Sequence, residues 1–183
     1  MKSYPNYRVT PWRIKEKSRK KIDSNFHISK IDIGGTVTNI GKRSFQCPEA
    51  TSLFIGKSVS SIGDFAFANC KKLRSIQVSE NNKTYKSIKN GVMTKTHHEL
   101  VVGGNESKIP DEVVRIGMGA FYGRQMNSIT IPDSVKSISN YAFYDCTNLT
   151  AVYVLADTPP TLGSQVFGKN ADGRRIYVKT ECL

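Results

Sequence analysis

Apolar positions recur along this chain in one fixed phrase. Ile62-Gly63, Ala66-Phe67, Cys70, Leu73, Ile76 and Val78 return as Ile138, Ala142-Phe143, Cys146, Leu149, Val152 and Val154, a uniform shift of 76 positions. Three more copies align with these. Ile40-Gly41, Phe45, Cys47, Leu53 and Ile55 form one, a residue short between Phe and Cys. Ile116-Gly117, Ala120-Phe121, Met126, Ile129 and Ile131 form another, again a residue short, with Gly123 at the Cys position. Leu162-Gly163, Phe167, Ile176 and Val178 form the last. Neighbouring copies start 22 residues apart (Ile40 to Ile62, Ile116 to Ile138), and 24 separate Ile138 from Leu162. A connector also recurs, from Ile33 to Val37, Ile55 to Val59, Ile109 to Val113 and Ile131 to Val135. Such a period means units that bury their apolar face only by stacking on their neighbours, which is a solenoid.

Each unit closes on alternating residues, as in Leu73-Arg-Ser-Ile76-Gln-Val78, and alternation predicts a strand. The first such strand is Ile31-Asp-Ile33. Successive strands should pair in parallel about 4.8 Å apart. A parallel sheet needs its buried face covered, and the shorter Val59-Ser-Ser-Ile62 segment with the Ala-Phe turn can supply that cover. Phe45, Phe67, Phe121, Phe143 and Phe167 should form an internal aromatic column, each ring contributing roughly 1.5–3 kcal/mol before entropy. Gly41, Gly63 and Gly117 mark a tight corner, although Ser139 takes that place in the copy starting at Ile138, so the corner does not demand a positive φ there.

One stretch breaks the period, since Ile62 to Ile116 takes 54 residues. Asn90-Gly91 sits there between short apolar-bearing runs and predicts a hairpin. Leu100-Val-Val102 reads as another strand. Residues 79–112 are therefore one enlarged unit with a hairpin, expected to project from the surface.

Val59 to Val78 and Val135 to Val154 follow the pattern V-x-x-I-G-x-x-A-F-x-x-C-x-x-L-x-x-I-x-I-P, and in this they resemble the bacterial-surface leucine-rich repeat family called BspA-like. Tyr85 to Met93 resembles that family's enlarged unit, Y-x-x-x-x-G-V-L, with one residue more before the Gly. The resemblance runs from about Ile31 to the C-terminus. It implies a right-handed leucine-rich repeat solenoid, β-rich, with parallel strands and short helical turns. It also implies a secreted or cell-surface protein engaged in adhesion to host proteins or other cells. Two departures stand out: no signal peptide is visible, and the chain stops at Cys182-Leu183 where relatives usually continue.

Charge changes the picture at one end. The net charge is +12, and residues 1–25 carry eight Lys/Arg against Glu16 and Asp23. A basic, flexible arm over residues 1–25 followed by a solenoid over 26–183 is the expected organisation. Arg13 to Lys21 can contact an anionic polymer by counterion release, weakly and without sequence preference; nothing in the chain resembles a nucleic-acid-binding fold. No apolar run approaches the roughly 20 residues of a membrane span. The first residues hold no apolar export segment, which leaves a cytoplasmic location open beside the surface location that the resemblance implies.

Chemistry is sparse. Cys47, Cys70 and Cys146 share one repeat position and read as small buried hydrophobes. Their spacing is not that of a zinc site. Cys47 and Cys70 fall on adjacent coils, where a disulfide is geometrically conceivable. His97-His98-Glu99 is not the H-E-x-x-H motif and reads as a polar turn. Asn82, Asn105 and Asn148 head glycosylation sequons at the frequency chance predicts. No catalytic constellation can be assembled, so the expectation is a non-enzymatic binding module without cofactor or metal.

Outward positions of the strands nominate the binding face. Phe54, Gln77, Thr130, Tyr153 and Tyr177 lie between the last two apolar residues of their units, preceded by Asp32, and Arg74, Arg174 and Arg175 lie close by. Exposed Tyr and Arg are enriched at binding hot spots, and stacking should make these residues one continuous surface for a protein or glycan. The plain alternative is that aromatic residues merely suit a sheet, in an array serving as a structural spacer of a larger surface protein.

Overall fold

The computed structural model describes residues 28–179. The basic arm expected over residues 1–25, and Cys182, lie outside the described residues. The rest is a parallel-strand β-solenoid of about six turns.

Each coil contributes a four-residue strand and a two-residue strand. The long strands are β1 (Lys30–Ile33), β3 (Ser52–Ile55), β5 (Ser75–Val78), β10 (Ser128–Ile131), β12 (Ala151–Val154) and β14 (Arg175–Val178). They form two parallel three-stranded sheets, β1-β3-β5 and β10-β12-β14. The short strands β2 (Asn39–Ile40), β4 (Ser61–Ile62), β9 (Arg115–Ile116), β11 (Ser137–Ile138) and β13 (Thr161–Leu162) line the opposite side. The connectors between long and short strands close as turns, with Val59 N donating to Gly56 O and Val135 N to Pro132 O.

The aromatic column forms as the repeat predicts. Phe45 stacks on Phe67 at 5.3 Å, Phe121 on Phe143 at 4.9 Å and Phe143 on Phe167 at 5.3 Å. Between Phe67 and Phe121 the column is interrupted by Gly103. Gly103 N donates to Ala120 O, the place a ring-bearing residue holds in other coils. A Cβ on Gly103 would stand 2.1 Å from the Phe121 ring, so only glycine fits.

The Ala-Phe segments are not helical turns, contrary to the reading from sequence. Ala66 N donates to Gly63 O and Ala68 N to Phe65 O, a run of single turns, and among the described residues there is no helix. The reason is local. Residues three and seven past the short-strand Ile sit at positive φ, as at Phe65 (57°), Asn69 (59°), Tyr141 (58°), Asp145 (58°) and Gly123 (72°). A left-handed residue cannot continue a right-handed helix. The corner glycines serve another purpose: a Cβ on Gly63 would lie 2.7 Å from Lys42 N of the preceding coil.

The enlarged unit does not project. Strands β6 (Tyr85–Ile88), β7 (Gly91–Thr94) and β8 (Glu99–Gly103) form an antiparallel meander, and β8 pairs in parallel with β9. The two-residue turn is Lys89-Asn90, both at positive φ, one position earlier than Asn-Gly suggested. Gly91 already belongs to β7, where a Cβ would lie 2.8 Å from Leu100. Val92 and Met93 are both fully buried, and successive strand residues face opposite ways. Val92 joins the apolar core of the N-terminal coils and Met93 that of the C-terminal coils. The meander is thus a partition between two cores.

Its side chains end the N-terminal ladders. Tyr85 Oη accepts from Ile62 N at 3.0 Å, and Ser87 Oγ accepts from Val78 N at 2.6 Å, where a further parallel strand would otherwise pair. Asn82, 1% exposed, donates to Gly56 O and Val59 O and accepts from Thr84 N and Tyr85 N. Its sequon is therefore committed to internal bonding in the folded chain.

Candidate binding face

The outward residues stand in strict register, because parallel pairing leaves no freedom to slip once the inward face is buried. Asp32 aligns with Phe54 and Phe54 with Gln77. Thr130 aligns with Tyr153 and Tyr153 with Tyr177. These are two rows rather than the single continuous column expected from sequence. Where a strand would join β5 to β10, residues 104–109 run irregularly, with Asn105 N donating to Leu73 O and Asn105 Oδ1 accepting from Gln125 N. Lys108 occupies the outward place there, its amide donating to Lys89 O at 3.2 Å.

The two rows differ in chemistry. The N-terminal one floors a groove of about 250 Å³ lined by Lys30, Asp32, Ser52, Phe54, Ser75 and Gln77. Lys30 and Asp32, two residues apart on the edge strand β1, pair at 3.8 Å along one side of it. In the C-terminal row Tyr153 and Tyr177 stack on each other at 4.8 Å and remain 41% and 43% exposed. Arg175 is exposed at the start of β14, and Arg74 is exposed just before β5. Arg174 does not join this face. Its guanidinium lies 5.3 Å over the Phe167 ring and donates to Phe167 O, covering the end of the aromatic column.

The thiols are structural. Cys47, Cys70 and Cys146 are free. Cys70 and Cys146 are fully buried, Cys146 Sγ donating to Phe121 O at 3.1 Å, while Cys47 is half-buried. Burial, reinforced by Cys70, pushes the Cys47 thiol up to about 11, and burial pushes Cys146 up to about 12. Neither is an activated nucleophile. His97 Nδ1 lies 2.9 Å from Thr96 Oγ1 in the turn joining β7 to β8. Among the described residues no group of three His, Cys, Asp or Glu converges as metal ligands do.

Two features escaped the sequence reading. The first is Arg124, 1% exposed and among the largest fully buried side chains. Its Nε donates to Gly103 O at 2.7 Å, and its Nη1 donates to Phe67 O, Cys70 O and Tyr122 O. It thereby ties the N-terminal coils, the partition and the C-terminal coils together. Burial pulls its pKa down, with Cys70 and Cys146 acting the other way. Arg124, not Gly123, holds the Cys position: Arg124 N donates to Phe121 O as Cys70 N does to Phe67 O. The missing residue of that coil falls after Arg124, and a charged residue in an apolar column was the available signal. The second is an aromatic clasp on the turn side. Phe65 meets Tyr122 edge-on at 5.7 Å and Tyr141 at 6.0 Å across the junction, seated where Gly119 leaves room.

Comparison with known proteins agrees with this architecture. The profile of the BspA type leucine rich repeat region matches residues 13–96 and 104–182 in six copies. A leucine-rich repeat protein from Eubacterium ventriosum is similar in structure, with TM-score 0.53 and 25% identity over 72% of this chain and 44% of its own. The pneumococcal vaccine antigen PcpA shares the fold, with TM-score 0.56 and 13% identity over 86% of this chain and 56% of its own. The chain thus spans about half the length of these solved relatives. No curated protein matches it. No helix among the described residues is long and apolar enough to cross a membrane. Repeat, coil geometry and profile agree: the chain belongs to the BspA-type leucine-rich repeat family.

Proposed function

We propose that this chain is a non-enzymatic, adhesin-like recognition module, displayed at a cell surface, that holds a protein or glycan of a host or neighbouring cell against its strand face. The observation that carries this reading is the register-locked display of Phe54, Gln77 and Tyr153 on strands whose inward residues are buried in the core, with Tyr177 stacked beside Tyr153 from the last strand. Burying such rings against a partner costs little side-chain entropy. A stacked tyrosine pair left more than two-fifths exposed is an anchor of the kind found at hot spots. The test is binding of the full chain to immobilised matrix proteins and to heparin at physiological and at raised salt. Partner-selective binding that survives salt supports recognition by the face. Binding only to heparin, lost with salt, assigns the contact to the basic arm and contradicts this reading.

A second reading has its own support. Leu162, Ile176 and Val178 are 58%, 49% and 39% exposed although their counterparts in preceding coils are buried. An apolar end of this kind suits a spacer stacked against further structure, with recognition elsewhere. Absence of any partner-selective binding favours that spacer role.

A further inference from the structure

We propose that the groove across β1, β3 and β5 is a saccharide subsite that takes one or two rings of a neutral oligosaccharide. The proposal rests on the strand-face reading and names the ligand class for one half of that face. Its lining residues form a grid, Lys30, Ser52 and Ser75 along one line and Asp32, Phe54 and Gln77 along the other. Strand pairing sets neighbours within a line about 4.8 Å apart, and the two lines lie roughly 7 Å apart. That mesh matches the spread of hydroxyls over one sugar ring and its neighbour.

The hydroxyls of this protein are spent unevenly. At the corners Thr51, Ser60, Ser134 and Thr150 donate to main-chain carbonyls of the preceding coil, at 2.8–3.2 Å. In the groove, among the described residues, the side chains of Ser52, Ser75 and Gln77 make no such bond, and Asp32 meets only Lys30, at 3.8 Å. Two hydroxyls, an amide and a carboxylate therefore keep their donors and acceptors for a ligand. They surround a half-buried Phe54 ring, an apolar platform on which the C–H face of a sugar can lie. A few placed polar groups around an aromatic floor are what a small-ligand site needs.

Other ligand classes fit less well. A peptide recognised by its main chain finds no partner over Phe54, because the main-chain groups of β3 are consumed by β1 and β5; one added to the edge strand β1 would lie beside the groove rather than in it. An anionic chain gains nothing here, because Asp32 offsets Lys30. The C-terminal row lacks the same equipment: Thr130, Tyr153 and Tyr177 offer no carboxylate or amide, and the two rings already stack on each other.

The test is an amide-shift titration of the full-length chain with cello-, chito-, manno- and galacto-tetraose, with hydrolysed gelatin as the peptide arm. The expected result is that at least one tetrasaccharide shifts the amides of Phe54 and Gln77. Phe54→Ala then weakens its Kd roughly tenfold or more, Gln77→Ala and Asp32→Asn weaken it less, and Arg115→Ala, on the short-strand side of the coil, leaves it unchanged. Asp32→Asn keeps the ring and the fold, so it reads the site even if Phe54→Ala is unstable. No shift with any tetrasaccharide at millimolar concentration, or shifts indifferent to Phe54 and Asp32, would overturn the subsite. Should tetrasaccharides fail while a matrix protein still binds through Phe54 or Tyr153, the subsite falls and the wider reading stands. Should they bind at Phe54 while no protein does, the subsite stands alone.

Discussion

The coils before the partition and the coils after it are built on one inward plan and carry different outward chemistry. Inside, Phe45 on Phe67 repeats as Phe121 on Phe143, and Cys70 against the preceding coil repeats as Cys146. Outside, the equivalent places hold Asp32, Phe54 and Gln77 in one block and Thr130, Tyr153 and Tyr177 in the other. Packing tolerates little change in a buried column, while an outward strand residue, constrained only by its neighbours on the face, is freer to vary. The divergence therefore marks where selection for a ligand can act without disturbing the stack.

The partition makes the two blocks separable, and Arg124 is what holds them to it. Arg124→Ala should have the largest effect, about 3–5 kcal/mol, because it opens a cavity and strips donors from carbonyls in both blocks and in the partition. Urea unfolding followed by circular dichroism should lose its single transition, with the blocks exchanging their amides at different free energies. A single unaltered transition would refute this role for Arg124.

Gly103→Ala should follow, costing about 1–3 kcal/mol, since its methyl must displace the Phe121 ring. Thermal melting measures it, and Phe121→Leu in the same background should recover part of the loss. Recovery of nothing would mean that the glycine is needed for some other contact.

The smallest effect is alkaline. Burial holds the Cys146 thiol near 12 against an ordinary value of 9.0, so the folded state favours the protonated form. Its contribution is complete below about pH 9 and is lost as pH rises from 9 toward 12, at up to about 1.4 kcal/mol per unit. Comparing the parent with Cys146→Ala by urea unfolding between pH 8 and 10 isolates it, since every other group is common to both. Equal slopes would contradict the burial.

Legibility followed the same inward–outward division. The first strand, the Phe column and the two-strand coil were all readable, because buried positions repeat in residue type. The partition was harder. Val92-Met93 places two apolar residues in succession, the mark of a strand covered on both faces, yet the adjacent Asn-Gly drew attention to a projecting turn. Positive φ at Phe65 and Tyr141 carried no signal, since the coil geometry imposes it on aromatic residues that rarely adopt it. Alternation shows which strand residues point outward, Phe54, Gln77, Thr130, Tyr153 and Tyr177, but it cannot show that residues 104–109 divide them into two rows or that Arg174 turns away to cover Phe167.

The central claim is that inward residues hold the stack while outward ones recognise. Its most direct test pairs two readings on Phe54→Ala and Tyr153→Ala: unfolding free energy, and affinity for whichever immobilised matrix protein the full chain selects. Tyr153→Ala should lose only about 0.5–1.5 kcal/mol, the worth of its stack on Tyr177, and Phe54→Ala a modest amount, while affinity falls roughly tenfold or more in at least one variant. Unchanged affinity in both, with the fold intact, would contradict it.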